Sequence, residues 1–161
     1  LRSESLEAAS SLWSFAKFVA RPQYRFSWHH RLLYRKLDDF AAGRVKRLIV
    51  EMPPGHGKSE AVSRNLPAYL FGRNPDARVI ACSYTQDLAA EMNRDVQAVM
   101  DSPLYRAVFP KTSLGGKSGK APGTPRRNSE IFDIATGRGF DKAAGVGVGI
   151  TGRRLENISY G

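Results

Sequence analysis

Eight consecutive residues, Met52-Pro53-Pro54-Gly55-His56-Gly57-Lys58-Ser59, bring together the side-chain types that handle phosphate. Two glycines two positions apart let a backbone turn its N–H groups inward and approach an anion closely. A lysine followed by a hydroxyl residue adds a mobile cation for the β- and γ-phosphates and an oxygen ligand for Mg²⁺. The implied chemistry is binding of a nucleoside triphosphate, with Lys58 on the phosphates, Ser59 on Mg²⁺ and Pro54, Gly55, His56 and Gly57 around the anion. The strict spacing departs at one place, because Met52 stands where the pattern has its first glycine. His56 either touches phosphate or is an exposed loop residue, and Glu60 either joins the site or stabilises the first turn of its own helix. Gly-Lys-Ser alone is unspecific, and the bland alternative is a strand-to-helix turn in which Lys58 is a solvated charge.

The phosphate-loop pattern is expected between a buried strand and a helix whose N-terminus points at the anion. Leu48-Ile49-Val50, entered from Arg47 and ended by Pro53-Pro54, predicts that strand, buried on both faces. Ser59 to about Phe71, closed by Gly72 and Pro75, predicts the helix. Upstream, Leu6, Ala9, Trp13, Ala16 and Ala20, with Leu12, Phe15 and Val19 beside them, predict one amphipathic helix stopped at Pro22. Ser27 is placed to cap a second, with Leu33, Leu37, Phe40 and Ala41 as its apolar stripe and Gly43 at its exit. Arg78 to Ser83 reads as a strand and Gln86 to Met100, capped by Thr85, as a long helix. Alternating strands and helices predict an α/β fold with a parallel sheet flanked by helices, of the P-loop NTPase kind.

Pro110 to Ser129 is rich in Gly, Pro and Ser and carries Lys111, Lys117, Lys120, Arg126 and Arg127 without an acid, which predicts a mobile loop. Those charges either contact DNA or are solvated residues. Ile131 to Ala135 is a further strand candidate, and Gly137 to Gly152 reads as a Gly-rich loop. Hydrolysis needs carboxylates on the metal and on the attacking water, usually at the end of an apolar strand. Asp38-Asp39 lies in an amphipathic helix and Asp133 follows only a short apolar lead, so the acidic pair is expected beyond Gly161. The chain reads as a fragment, truncated before that acidic strand.

The 161 residues fit one domain. Lys and Arg number 25 against 15 Asp and Glu, and a net charge of +10 favours polyanionic partners. With 42% hydrophobic residues the chain is no disordered basic tail. One cysteine, Cys82, excludes an internal disulfide and a cysteine-cluster zinc site and suits a reducing compartment. No apolar run reaches the roughly 20 residues that a membrane span needs, and no signal-peptide pattern opens the chain, so a cytosolic setting without a membrane partner is expected.

Taken in order, several blocks resemble the N-terminal ATPase region of the large terminase subunit of tailed bacteriophages. They are Trp28-His29-His30, Arg47 to Glu60, Phe71-Gly72-Arg73-Asn74-Pro75, Ala81-Cys82-Ser83-Tyr84-Thr85 with Leu88-Ala89, Phe109-Pro110 and Gly149-Ile150-Thr151-Gly152-Arg153. The resemblance implies an ATPase in the full-length protein, using ATP and Mg²⁺ to drive double-stranded DNA into a capsid in the cytoplasm of an infected or prophage-carrying bacterial cell. It implies a homo-oligomeric ring, with portal protein and small terminase subunit as partners. It also implies one partial ATPase domain over 1–161, divided into an adenine-side helical segment 1–46, a strand-helix core 47–136 containing the basic loop 110–129, and a Gly-rich segment 137–161. Trp28 and His30 fall where relatives contact adenine, although Trp28 reads equally as a core aromatic. Arg153 stands where some terminases place an arginine that reaches a neighbour's ATP, and Arg154 leaves the choice between the two open. Gly55 replaces an arginine that many relatives carry inside the loop. Two other readings stay open: another P-loop enzyme, helicase-like or phosphoryl-transferring, and a non-enzymatic basic DNA-binding module.

Overall fold

A computed structural model describes residues 2–116, 125–145 and the backbone of 159–160. Three helices open the chain, α1 (Arg2–Ser10), α2 (Leu12–Val19) and α3 (Trp28–Ala41). The single N-terminal helix expected from periodicity is therefore two. Ser11 takes an extended conformation and its side chain accepts the Ser14 N–H at 3.1 Å, restarting the helix. The first N–H of α2, on Leu12, donates to Asp38 Oδ1 of α3 at 2.6 Å, a carboxylate at a helix N-terminus that fixes the break in place. α2 buries Leu12, Phe15, Ala16 and Val19, and α3 buries Leu33, Tyr34 and Leu37. Gly43 leaves α3 with φ +73°, the left-handed exit expected of it.

After the Gly-rich loop, helix resumes at Lys58, passes through a π-helical turn, Glu60–Asn65, and continues as α4 (Leu66–Arg73). β1 (Arg78–Ser83) and α5 (Gln86–Asp101) follow as expected, with the Thr85 side chain accepting the Leu88 N–H at 3.2 Å. α6 (Pro103–Val108) was not expected. Its signal was present, since Ser102 caps it and Pro103 occupies the first helical position. Phe15, Tyr69, Tyr105 and Phe109 form an aromatic cluster joining α2, α4 and α6, and a side chain at Gly72 would strike the Phe109 ring. One apolar core thus runs from Ala8 in α1 through α2–α6 to Phe132 and Ile134.

β2 (Ile131–Asp133), β3 (Phe140–Gly145) and β4 (Ser159–Tyr160) complete a four-stranded sheet of order β2-β3-β1-β4. β3 and β4 run parallel to β1, while β2 is antiparallel to β3. The sheet is mixed and not wholly parallel, because the connection from β2 to β3 is too short for a crossover. β3 lies inside the stretch expected to be a Gly-rich loop. Its sequence, Phe-Asp-Lys-Ala-Ala-Gly, has little strand propensity, and pairing on both edges imposes the conformation. α5 is tied to this strand: Gln86 Oε1 accepts the Gly145 N–H at 2.7 Å, and a Cβ at Gly145 would collide with the Gln86 backbone.

The strand expected at Leu48-Ile49-Val50 is absent from the ladders among the described residues. Leu48 and Val50 pack against the core, but Ile49 is 87% exposed, which excludes burial on both faces. A strand exists through its partner's hydrogen bonds, and no described strand stands beside this segment. It forms instead one wall of a groove of about 980 Å³ shared with Val62, Leu66 and Leu70.

Candidate functional site

The Gly-rich loop leaves the core at Met52 and enters helix at Lys58. Gly55 and Gly57 have φ of +77° and +78°, left-handed values that L side chains adopt with strain. Between them His56 folds back, its Nδ1–H donating to the Pro54 carbonyl at 2.9 Å while the ring stays exposed. Lys58 and Ser59 are exposed on the first helical turn, and Lys58 has no carboxylate partner among the described residues. Glu60 is not free for other work, because it pairs with the buried Arg64 one turn along. Asn65 continues the contact inward, donating to Tyr34 Oη at 2.8 Å.

Against this loop lies the entry of α3. The chain's three histidines gather here: His29 and His30 ring centroids are 4.1 Å apart and His29 and His56 5.7 Å apart. His30 is buried and accepts the Ser27 N–H through Nδ1 at 2.9 Å. Burial and the neighbouring His29 lower its pKa, so at neutral pH the ring is uncharged and its proton sits on Nε2. Trp28 is 80% exposed, which removes the core-aromatic reading and leaves its indole available beside His29. Tyr24 and His29 were not singled out from sequence, although the gathering of all three histidines was a signal that spacing alone could not connect.

Steric room separates the two glycines. At Gly55 a Cβ meets nothing, whereas at Gly57 it would strike Tyr24 Oη and His30 Nε2. Gly55→Ala is therefore expected to cost about 1 kcal/mol of left-handed strain, and Gly57→Ala clearly more, because strain and collision add. Thermal melting of the two variants checks the order, and equal losses would count against the tight contact at Gly57.

The basic residues proposed for DNA are partly committed elsewhere. Arg126 donates through Nε and Nη2 to Asp133 Oδ2 and Oδ1 at 2.8 and 2.7 Å, which also occupies the weaker metal-ligand candidate. Arg127 pairs with Asp101 and donates to Gln97 Oε1 at 3.1 Å, pinning this stretch to α5. Its described flanks are thus anchored where a mobile loop was expected. Arg127→Ala is expected to lower stability by about 2 kcal/mol, since it strands a partly buried carboxylate and a glutamine; urea unfolding measures it. Lys111 is exposed, while Lys117, Lys120, Arg153 and Arg154 lie outside the described residues.

Asp38 and Asp39 are structural, the first accepting the Leu12 N–H and the second paired with Arg44 at 2.7 Å. Groups of three or more His, Cys, Asp or Glu able to hold a metal are absent among the described residues. The Ser59 hydroxyl is a hard oxygen donor of the kind that binds Mg²⁺ together with phosphate oxygens and water. No described helix is long and apolar enough to cross a membrane.

The model of one protein family, described as terminase large subunit, T4likevirus-type, N-terminal, matches residues 49–143. The match spans more than half of the chain, from the Gly-rich loop through β1, α5 and β2 into β3. No curated protein and no solved structure matches the chain.

Proposed function

Because the chain belongs to the T4likevirus-type terminase large subunit family through its N-terminal region, we propose that it is the ATP-binding part of a DNA-packaging motor. In this reading the Gly-rich loop is a phosphate loop of a P-loop ATPase, and ATP hydrolysis in the whole motor drives double-stranded DNA into a capsid. Lys58 contacts the β- and γ-phosphates, and the loop amides of Gly55, His56 and Gly57 surround them. Mg²⁺, bound with the nucleotide and held in part by Ser59, supplies charge neutralisation at the phosphates. Trp28 offers its exposed indole face to adenine, beside the His29 and His30 rings.

The observation that carries this reading is the pairing of two left-handed glycines with a helix that starts at a lysine without a carboxylate partner among the described residues. That arrangement concentrates N–H donors, a helix N-terminus and a cation at one exposed point. Double-stranded DNA, portal protein, small terminase subunit and further copies in a ring are the partners that follow, in the cytoplasm of an infected bacterial cell. Exposed Lys111, with Lys117 and Lys120, belongs to the DNA-facing set, and Arg153 or Arg154 is the trans-acting arginine. Arg126 and Arg127 act more through shape than through free charge, since both already hold carboxylates.

Titration with an ATP analogue and Mg²⁺ tests the reading. Saturable binding that competes with ATP and is lost in Lys58→Ala supports it. Binding absent from the unmodified chain would leave a basic DNA-binding module, which salt-sensitive DNA affinity alone cannot distinguish from a motor part.

A further inference from the structure

The segment between α2 and α3 does something for the loop that neither the family match nor the phosphate reading assigns. Tyr24 Oη is buried and has no hydrogen-bond partner among the described residues, yet it stands where a Gly57 side chain would be. His30 Nε2 closes on the same point from α3. The His30 ring cannot swing away without giving up the Ser27 N–H, and Tyr24 is braced edge-on by Phe26 at 4.8 Å. Two polar atoms therefore converge on a glycine whose φ is +78°.

We propose that Tyr24 and His30 are positioning residues of the Gly-rich loop: they clamp Gly57 and hold the adjoining peptides in the shape that receives a phosphate. The inference rests on the nucleotide reading above for its ligand, but the clamp itself is a property of the free chain. His30 works as a neutral ring, with Nδ1 accepting from the helix cap and Nε2–H turned to the loop. Once protonated, Nδ1 can no longer accept the Ser27 N–H, and the clamp opens from the α3 side. Among the described residues, the titratable groups that bear on this ring are His29 on its own helix, His56 on the loop and Tyr24 on the preceding segment. Burial and His29 favour the neutral form, whereas the His56 backbone opposes them.

His30→Gln separates clamping from helix capping, because glutamine at this third helical position still accepts the cap N–H. Calorimetric titration with a non-hydrolysable ATP analogue and Mg²⁺, run from about pH 7.5 to about pH 5.5, compares it with the unmodified chain. The variant is expected to bind roughly tenfold more weakly at the upper pH, with an unchanged melting temperature. The two affinities should approach one another where His30 becomes protonated, since losing the Ser27 N–H frees the ring to leave Gly57, the contact that the substitution also removes. Equal affinities at the upper pH would overturn the clamp. Tyr24→Phe, which deletes one hydroxyl, is expected to weaken binding about threefold at every pH, and no change would count equally against it. Amide hydrogen exchange in the nucleotide-free chain keeps the two ideas apart. Gly57 and Lys58 amides should exchange faster in His30→Gln; unchanged rates overturn the clamp even if no nucleotide binds, and faster rates without binding would overturn only the nucleotide reading.

Discussion

Replacing Lys58 by alanine is expected to weaken the affinity for Mg²⁺-ATP by about a hundredfold, the loss of one charge-assisted contact to phosphate. The fold should not notice. Lys58 is exposed and without a carboxylate partner among the described residues, so its removal leaves no buried charge and opens no cavity. Melting temperature is therefore expected to stay put while nucleotide binding collapses. DNA binding gives an internal control, because a chain of net charge +10 loses only one cation and its salt dependence should barely move. Equal nucleotide affinity in the two proteins would sink the phosphate-loop reading, and parallel loss of nucleotide and DNA binding would indicate a general electrostatic surface.

Asp141→Asn is the second large expected effect, and it concerns stability. Asp141 sits in β3 opposite Val79 of β1 and Phe132 of β2, fully buried, and among the described residues neither carboxylate oxygen has a partner in good hydrogen-bond geometry, the adjoining Lys142 N–H offering at most a weak one. It shares a strand face with Gly145, whose Cα abuts α5, so water does not reach it. Burial pushes its pKa up to about 7, against the lesser opposing effect of the Lys142 backbone. The folded chain thus keeps this proton through a pH range in which the unfolded chain has released it. The contribution of Asp141 to stability is most favourable below the unfolded carboxyl value near pH 4 and falls as the pH rises toward about 7, beyond which its penalty is complete. Asparagine is the neutral isostere of the protonated acid and carries no such penalty. The variant is expected to gain on the order of 3 kcal/mol at mildly alkaline pH and nothing at pH 4. Urea unfolding across this range measures both arms, and an undiminished slope in the variant would show that another group sets it.

Local signals decided much of what the sequence revealed. Ser27, Thr85 and Gly43 mark their helix ends because capping and left-handed exits are made by residues within three or four positions of one another. Arg78–Ser83 matches its expected bounds because Val79, Ile80 and Ala81 are buried together. The Gly-rich loop was legible for a similar reason: glycines, lysine and serine at fixed spacing carry their geometry within eight residues, and both glycines adopt the positive φ that only they accept comfortably.

What escaped the sequence depends on partners far along the chain. Leu48-Ile49-Val50 has the composition of a buried strand but lacks a described neighbour, whereas Phe140–Gly145 lacks the composition and becomes a strand because β1 and β2 flank it. Ser11 breaks a continuous apolar period because Asp38, from another helix, takes the N–H of the residue after it. Arg126 and Arg127 looked like free charges until Asp133 and Asp101 came within reach. By itself, then, the sequence determined the left-handed backbone of the loop glycines and the ends of most helices, since those are short-range matters of backbone geometry and capping. Tertiary structure alone decided which strands pair, which charges are spent internally, and that Tyr24 and His30 close on Gly57, because each of these is a contact between segments that no periodicity connects.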